Sequence, residues 1–230
     1  MSEPTAAVFQ AVFADADGTI MQGRSLLGFL EQLEREAEPA ERERLHALKL
    51  RLLDGLRSDL SRVTLNETYY REVLTGRRVE DVQRAAASWY AQASLAADFT
   101  RPAVVRFLKR RRAAGSRLVL VSGSFEALLV PLLEQLGGGD VLAAPLEVLD
   151  GRYSGRLLGP PMLGAAKVVA VRAYAARWGL SLGACAAIGD DASDRGFLEL
   201  VGAPYVPAQA SGEVLEYARR ARWQVLGDAA

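Results

Sequence analysis

The chain has one cysteine, one histidine and no long apolar run, and each scarcity narrows the functions open to it. Cys185 cannot form an internal disulfide, so we expect a reducing compartment, the cytoplasm. No window approaches the ~20 consecutive apolar residues that a membrane span needs. The N-terminus carries an acidic residue, Glu3, and no basic region, which argues against a signal peptide. His46 lies in a charged helical stretch and is expected to be structural or solvent-exposed.

Neither sign of charge is in excess. The 230 residues include 28 Lys+Arg and 28 Asp+Glu, so the formal net charge is zero. Such a composition has no overall attraction to nucleic acid or to an anionic membrane, and we expect neither as a partner. Hydrophobic residues make up 50% of the chain, enough for a sizeable core. The sequence does not indicate an oligomeric state.

Short apolar runs alternate with helical patterns along most of the chain. Strands are predicted at residues 5–14, 117–121 and 184–188 and near 205–206, and Asp150-Gly151 predicts a hairpin within residues 146–157. Helices are predicted at residues 125–135, broken or bent at Pro131, and at residues 102–115, 165–178, 193–200 and 212–221. This alternation predicts an α/β fold with a doubly wound parallel sheet.

Residues 20–97 differ from the rest because they show helical stripes and no strand-like alternation. A leucine stripe begins after Ser25, a plausible cap, and a second one spans residues 45–56. Further helices are predicted at residues 66–74 and 80–93. We therefore expect a small helical insertion at residues 20–97, with residues 1–19 and 98–230 forming the core.

Two carboxylates, Asp15 and Asp17, come directly after the first apolar strand. Their spacing in an extended backbone aims both side chains to the same side. Like charges held this close need a cation or a shared proton. Taken alone, the motif would more often be a solvated turn.

Other polar residues follow the later strands: Ser122 after the second, and Asp190 with Asp194 after the third. The carboxyl ends of parallel strands meet at one edge of the sheet, where ligands bind. Four carboxylates without His or Cys form a hard oxygen site that suits Mg²⁺ better than zinc.

A positive charge and hydrogen-bond donors complete the set. Lys167 lies near a helix start, and Ser122 with the amides of Gly123 and Ser124 can donate to phosphate oxygens. A carboxylate nucleophile, a metal, a lysine and a hydroxyl are the parts needed for phosphoryl transfer. The predicted substrate is therefore a small phosphorylated metabolite.

With these residues in place, the chain resembles the haloacid dehalogenase superfamily, subclass IB, which includes phosphoserine phosphatase-like enzymes. The four motifs of that superfamily match, in order, at residues 15–19, residues 119–124, Lys167 and residues 188–194. The resemblance covers essentially the whole chain. It implies a Mg²⁺-dependent phosphatase with a Rossmann-like core and a cap inserted after the first strand.

The resemblance also implies a role for each motif residue. Asp15 would be the nucleophile that forms an aspartyl-phosphate, and Asp17 the general acid and base. Ser122 and Lys167 would bind the transferring group, together with Gly123 and Ser124. The metal would be held by the carboxylates of Asp15 and Asp190 and the backbone carbonyl of Asp17, while Asp194 would ligate it or orient its waters.

Two positions differ from the usual pattern. Residues 20–24 lack the acidic residue with which phosphoserine-specific relatives meet the substrate ammonium group, so phosphoserine is not implied as the substrate. Arg24 in this segment is a candidate for binding an acidic leaving group, although a solvated surface role is equally compatible. Asp191 stands where many relatives have Ser or Asn. Its carboxylate could tighten magnesium binding or face solvent as a turn residue, and we favour the second.

Three other functions use similar residues. A phosphomutase needs the same nucleophile. A receiver-like module also has an acidic cluster, a hydroxyl residue and a lysine, but in a different order and in a smaller chain. A phosphate-binding protein without catalysis would not need the general acid Asp17.

Overall fold

The chain forms a wholly parallel six-stranded sheet and a separate hairpin, which confirms the predicted α/β class. The computed structural model describes residues 8–58 and 60–227. In chain order the strands are β1 Ala11–Ala14, β2 Arg117–Val121, β3 Asp140–Leu142, β4 Leu146–Leu149, β5 Arg152–Leu157, β6 Ala186–Ile188, β7 Ala203–Pro207 and β8 Gln224–Leu226. The large sheet has the order β3-β2-β1-β6-β7-β8, and β4 pairs with β5.

The strand β1 lies at the middle of the sheet, where the strand order reverses. It pairs in parallel with β2 on one side and with β6 on the other, so that Phe13 lies opposite both Val119 and Ala187. In open α/β sheets ligands bind at such a switch point, beyond the carboxyl ends of the strands. The loops that follow these three strands therefore reach the same place.

Alternate residues of β1 contribute to two hydrophobic clusters, one on each face of the sheet. Val12 and Ala14 belong to the cluster that also holds the buried residues of the first helices, whereas Ala11 and Phe13 belong to the opposite cluster. All four side chains are at most 1% exposed. A strand covered on both faces reads as a continuous apolar run, which is why this strand was detectable in the sequence.

The predicted first strand was too long at its start. Residues 5–7, like Glu3, lie outside the described residues, and the strand begins at Ala11 rather than before it. Just before β1 the amide of Phe9 donates to Ser116 Oγ at 3.1 Å, and Gln10 Oε1 accepts from the amide of Ser181 at 2.7 Å. The carbonyl of Gln10 accepts from the amide of Arg117, the first residue of β2, at 3.2 Å.

Nine α-helices occur in the described part of the chain. They are α1 Ser25–Glu36, α2 Pro39–Arg57, α3 Arg62–Tyr69, α4 Val79–Ala93, α5 Pro102–Ala113, α6 Glu126–Gln135, α7 Ala165–Arg177, α8 Arg195–Leu198 and α9 Gly212–Arg220. The first four follow one another between β1 and α5. Among the described helices, none combines the length and the apolarity needed to cross a bilayer.

Two helical predictions in the inserted segment need correction. Ser25 is the first residue of α1 and does not cap it, because its amide and hydroxyl both bond to Asp17. The helix predicted at residues 66–74 begins earlier, at Arg62, since Ser61 Oγ accepts from the amide of Thr64 and caps the helix there. It then continues into a π-helical turn, Tyr70–Leu74.

Corrections also apply in the rest of the chain. The predicted break at Pro131 does not occur, because α6 runs continuously through this residue, and its buried leucines belong to the same hydrophobic cluster as Val12 and Ala14 of β1. The segment at residues 193–200 is divided into a 3₁₀ turn, Ala192–Asp194, and the single-turn helix α8, because Asp191 caps the turn. The strand predicted from residue 184 starts at Ala186, after another 3₁₀ turn. The three-residue edge strands β3 and β8 were not predicted.

The predicted hairpin is confirmed and is attached to the inserted helices. Asp150 and Gly151 both have positive φ, 49° and 73°, as a tight two-residue turn requires. The amide of Gly76 donates to the carbonyl of Tyr153 at 2.8 Å, and the amide of Val79 donates to that of Gly151 at 3.0 Å. The hairpin thus tethers the chain between α3 and α4.

Candidate active site

The three central strands deliver polar residues to one cavity at the switch point. Asp15 follows β1 directly, Ser122 follows β2, and Asp190 lies two residues beyond β6. The cavity has a volume of about 300 Å³. All nine residues singled out in the sequence line it: Asp15, Asp17, Arg24, Ser122, Gly123, Ser124, Lys167, Asp190 and Asp194.

A buried ion-pair triad joins the first strand to the last motif. Lys167, in the first turn of α7, is 2% exposed, and its Nζ lies 2.6 Å from Asp15 Oδ1 and 2.7 Å from Asp194 Oδ1. Burial opposes the charge on Lys167, but the two carboxylates outweigh it and raise the pKa of the ammonium above its usual value. The lysine is therefore held positively charged between the two acids.

Asp15, Asp190 and Asp194 form a cluster in which one oxygen of each lies within 4.8 Å of the others. Burial, together with the neighbouring acids, raises the pKa of Asp15 well above its usual value, and burial also raises the pKa of Asp190. Three carboxylates face one ammonium, so the cluster favours a divalent cation. An all-oxygen donor set of this kind fits Mg²⁺.

Asp194 and Asp190 differ in how many of their carboxylate oxygens accept hydrogen bonds from the protein. Asp194 Oδ1 accepts from Lys167, and its Oδ2 faces the amides of Asp190 and Asp191 at 3.3 and 3.4 Å. Asp190 accepts from Thr19 Oγ1 at 2.5 Å through Oδ1 only. Gly18 lets the chain pass closely here, since a Cβ on it would lie 2.4 Å from Asp190 Oδ2. Asp194 is thus the acid most engaged by the protein.

Asp17 is held by the start of α1. The amide of Ser25 donates to Asp17 Oδ1 at 3.0 Å, and Ser25 Oγ donates to Oδ2 at 2.9 Å. Burial raises the pKa of the Asp17 carboxyl, while both bonds from Ser25 act in the opposite direction. Ser25 Oγ also lies 2.8 Å from Ser124 Oγ, which connects Asp17 to the loop after β2.

The loop Ser122-Gly123-Ser124 is held by a hydrogen bond within it and by two hydrogen bonds from the inserted helical segment. Within it, the amide of Ser124 donates to Ser122 Oγ at 3.1 Å. From the inserted helices, Asn66 Nδ2 donates to the carbonyl of Gly123 at 2.9 Å, and the hydroxyl of Tyr70 donates to the same carbonyl. The inserted helices therefore hold the loop that carries Ser122.

Asp191 lies at the cavity wall but outside the acid cluster. Its Oδ1 accepts from the amide of Ser193 at 3.0 Å, and its Oδ2 lies 3.2 Å from the guanidinium of Arg62. Although burial opposes the charge, these bonds and Arg62 lower the pKa of Asp191. The expected turn role is thus accompanied by an ion pair with α3 that the sequence did not indicate.

Sequence reasoning missed four residues that organise the site: Thr19, Ser25, Asn66 and Tyr70. Ser25 lies only eight residues after its partner Asp17, so the sequence offered a local signal for this bond, whereas Thr19 bonds to Asp190, 171 residues away. Asn66 and Tyr70 have no such signal, because their partner Gly123 is 57 and 53 residues away.

Comparisons with known proteins agree with this architecture. The model of the haloacid dehalogenase-like hydrolase family matches residues 12–199. A phosphoserine phosphatase of Mycobacterium tuberculosis is 26% identical over 227 residues, which cover 97% of this chain and 72% of that protein. A Bordetella pertussis protein of unknown function superposes with a TM-score of 0.81 at 23% identity, over 95% of this chain and 98% of that one.

A substrate-bound phosphoserine phosphatase complex has the same fold, with a TM-score of 0.63 and 18% identity over 90% of each chain. The family match extends over far more than half of the 230 residues and includes β1, β2 and β6 with the polar residues that follow them. The chain belongs to the haloacid dehalogenase-like hydrolase family.

Proposed function

We propose that this chain is a Mg²⁺-dependent phosphomonoesterase that hydrolyses a small phosphorylated metabolite through an aspartyl-phosphate on Asp15. The observation that carries the proposal is the buried contact of Asp15 with Lys167, in a cavity that Asp17 and Ser122 also line. A nucleophile, a fixed positive charge, a proton donor and a hydroxyl thus share one space. The similarity to proteins named phosphoserine phosphatase supports a phosphate ester as substrate.

In the first step a carboxylate oxygen of Asp15 attacks phosphorus, and the bond from phosphorus to the ester oxygen breaks. Asp17 gives its proton to the departing oxygen, so the alcohol leaves neutral. The raised pKa of Asp17 supports this role, because a buried carboxyl keeps a proton more readily. Lys167 and Ser122 stabilise the charge on the transferring group.

In the second step water attacks phosphorus, and the bond to Asp15 breaks. Asp17, now ionised, takes the proton of that water, which restores the starting state and releases inorganic phosphate. Ser25 keeps the carboxyl of Asp17 in one orientation through both steps, since it bonds to both carboxyl oxygens. Ser124 orients Ser122 through its amide.

The metal would be held by the carboxylates of Asp15 and Asp190 and by the backbone carbonyl of Asp17. Mg²⁺ bound there would neutralise negative charge on the phosphoryl oxygens. Both oxygens of Asp194 already bond within the protein, which favours a role in orienting metal-bound waters and Lys167 over direct ligation.

The proposal divides the chain into a core, residues 1–19 and 98–230, and a helical cap, residues 20–97. The cap segment supplies Arg24 and Asn66 to the cavity lining, and Asn66 and Tyr70 bond to its loop, as expected of a segment that closes a site and reads the substrate. Arg24, exposed at the cavity wall, would meet the leaving group. The cytoplasm remains the proposed compartment, in keeping with the free thiol of Cys185.

The test is the release of inorganic phosphate from p-nitrophenyl phosphate by the purified chain, with Mg²⁺ and after chelation. We expect turnover only with the metal, and an acid-stable phosphoryl group on Asp15 detected by mass spectrometry after rapid quenching. Asp15→Asn should abolish both. Asp98→Asn, at an exposed acid that does not line the cavity, is the matched control and should behave as the parent.

An Asp15→Asn protein as active as the parent would overturn the proposal. Stable phosphorylation without turnover would indicate a phospho-acceptor module instead. Isomerisation of a sugar phosphate without phosphate release would indicate a mutase.

A further inference from the structure

The cavity has a second wall that the phosphoryl-transfer residues do not use. Leucines of helices α1, α2 and α3 line this wall: Leu26, Leu27, Leu52, Leu56 and Leu65. Leu52 and Leu65 are buried, at 4% and 8% exposure, and the other three are half-buried. A leaving group attached to the phosphate would therefore meet these aliphatic side chains, beside the polar groups of Asn66 and Tyr69 that line the same cavity.

The charged side chains at this wall are all positive. The carboxylates that line the cavity are those of Asp15, Asp17, Asp190, Asp191 and Asp194, and all of them belong to the catalytic end. Among the described residues, α1, α2 and α3 add no acidic side chain to the lining. They and the loops beside them add only positive charge, from Arg24, Arg62 and Arg101.

None of the catalytic acids is available to a positively charged leaving group. Asp15 and Asp194 are paired with Lys167, and Asp191 is paired with Arg62. Asp190 accepts from Thr19 and would bind the metal in the proposed function. Asp17 already accepts two bonds from Ser25, and as general acid it must carry a proton when the ester bond breaks. An ammonium placed against the leucines would lose its hydration without gaining a counter-charge, which is costly.

We infer that the substrates of this site are phosphomonoesters of alcohols without positive charge, and that the leucines of α1, α2 and α3 select leaving groups with an apolar body. This inference rests on the proposed phosphatase function. It places specificity in the helical segment and excludes phosphorylated amino alcohols as preferred substrates. A cavity of about 300 Å³ has room for the phosphoryl group with a leaving group of a short chain or one ring.

A pair of matched esters tests the inference. In n-propyl phosphate and O-phosphoethanolamine the leaving groups have the same number of heavy atoms and differ in a terminal methyl against an ammonium group. We expect kcat/KM to favour propyl phosphate by at least about tenfold. Along the series from methyl to butyl phosphate, each added methylene should raise kcat/KM about threefold to fourfold.

Two substitutions on α2 test whether the leucine wall selects the leaving group. Leu56→Glu, at a half-buried position of the wall, should shift the kcat/KM ratio at least tenfold toward phosphoethanolamine, because it supplies the missing counter-charge. Leu50→Glu lies on the same helix, is 53% exposed and does not line the cavity, so it should leave the ratio unchanged. Circular dichroism and thermal melting check that both variants are folded.

The possible failures are distinguishable. If the parent protein is a phosphatase whose kcat/KM for phosphoethanolamine equals or exceeds that for propyl phosphate, the inference is overturned and the proposed function stands. If Leu56→Glu and Leu50→Glu change the kcat/KM ratio equally, the leucine wall is not what selects the substrate. That result also overturns the inference. If no ester releases phosphate, p-nitrophenyl phosphate with Mg²⁺ included, the proposed function fails and the inference fails with it.

Discussion

Ser25 Oγ lies 2.9 Å from Asp17 Oδ2, and the amide of the same serine holds Oδ1 at 3.0 Å. One residue at the start of α1 thus fixes both oxygens of the proposed general acid. Because Ser25 is only 1% exposed and also contacts Ser124, its hydroxyl cannot be replaced by a solvent molecule without rearrangement. The first helix after the nucleophile is therefore part of the catalytic apparatus in this proposal.

Ser25→Ala should slow the hydrolysis of alkyl phosphates more than that of aryl phosphates. Alkyl leaving groups need a proton from a well-oriented Asp17, whereas p-nitrophenolate leaves without one, so we expect about a tenfold to hundredfold loss of kcat for the former and less than about threefold for the latter. Ser25→Thr, which retains the hydroxyl, should recover most of the rate. Equal losses on both substrates would show that Ser25 has only a structural role.

Lys167→Met should destabilise the protein as well as inactivate it. The substitution leaves Asp15 and Asp194 buried without their counter-charge, which we expect to cost about 3–5 kcal/mol of unfolding free energy, measured by denaturant titration. Lys49→Met removes a more exposed lysine that pairs with Glu34 and should cost at most about 1 kcal/mol. A similar small loss in both variants would contradict the buried triad.

Mg²⁺ should stabilise the protein, and Asp190→Asn should remove this effect. At a hundredfold excess of Mg²⁺ over its dissociation constant the gain is about 2.7 kcal/mol, a rise in melting temperature of about 5–10 °C for a chain of this size. Asp191→Asn is the control, since Asp191 lies next in sequence but outside the acid cluster. A magnesium-dependent shift that survives Asp190→Asn, or is lost with Asp191→Asn, would place the metal elsewhere.

Tyr70→Phe and Tyr69→Phe form a matched pair of adjacent substitutions with opposite expectations. The Tyr70 hydroxyl donates to the carbonyl of Gly123, so its loss should cost about 1 kcal/mol of stability and weaken competitive inhibition by inorganic phosphate. The buried Tyr69 hydroxyl has no hydrogen-bond partner among the described residues, so Tyr69→Phe should be neutral or stabilising. Inhibition constants and chemical denaturation measure both, and identical behaviour would contradict the link to the loop.

The class of fold was accessible from local patterns. The apolar runs before Asp15, Ser122 and Asp190 are strands covered on both faces, and burial of that kind leaves a strong, continuous signal in the sequence. The Asp150-Gly151 hairpin was equally clear, since its turn needs positive φ. The edge strands β3 and β8 were missed because their residues are only partly buried or exposed, so they leave no continuous apolar run, whereas the equally short β6 is fully buried and was predicted.

The sequence by itself indicated nine residues that line the cavity, because most of them follow an apolar strand within a few residues or lie near the start of a helix, where a local pattern can be read. It did not indicate Asn66 or Tyr70. The contacts among those residues depend on the folded chain. Lys167 is 152 residues from Asp15, and Tyr70 is 53 residues from Gly123, so no local pattern could show that either pair meets. The leucine wall likewise exists only where three separate helices converge, since each leucine stripe in isolation looks like ordinary core.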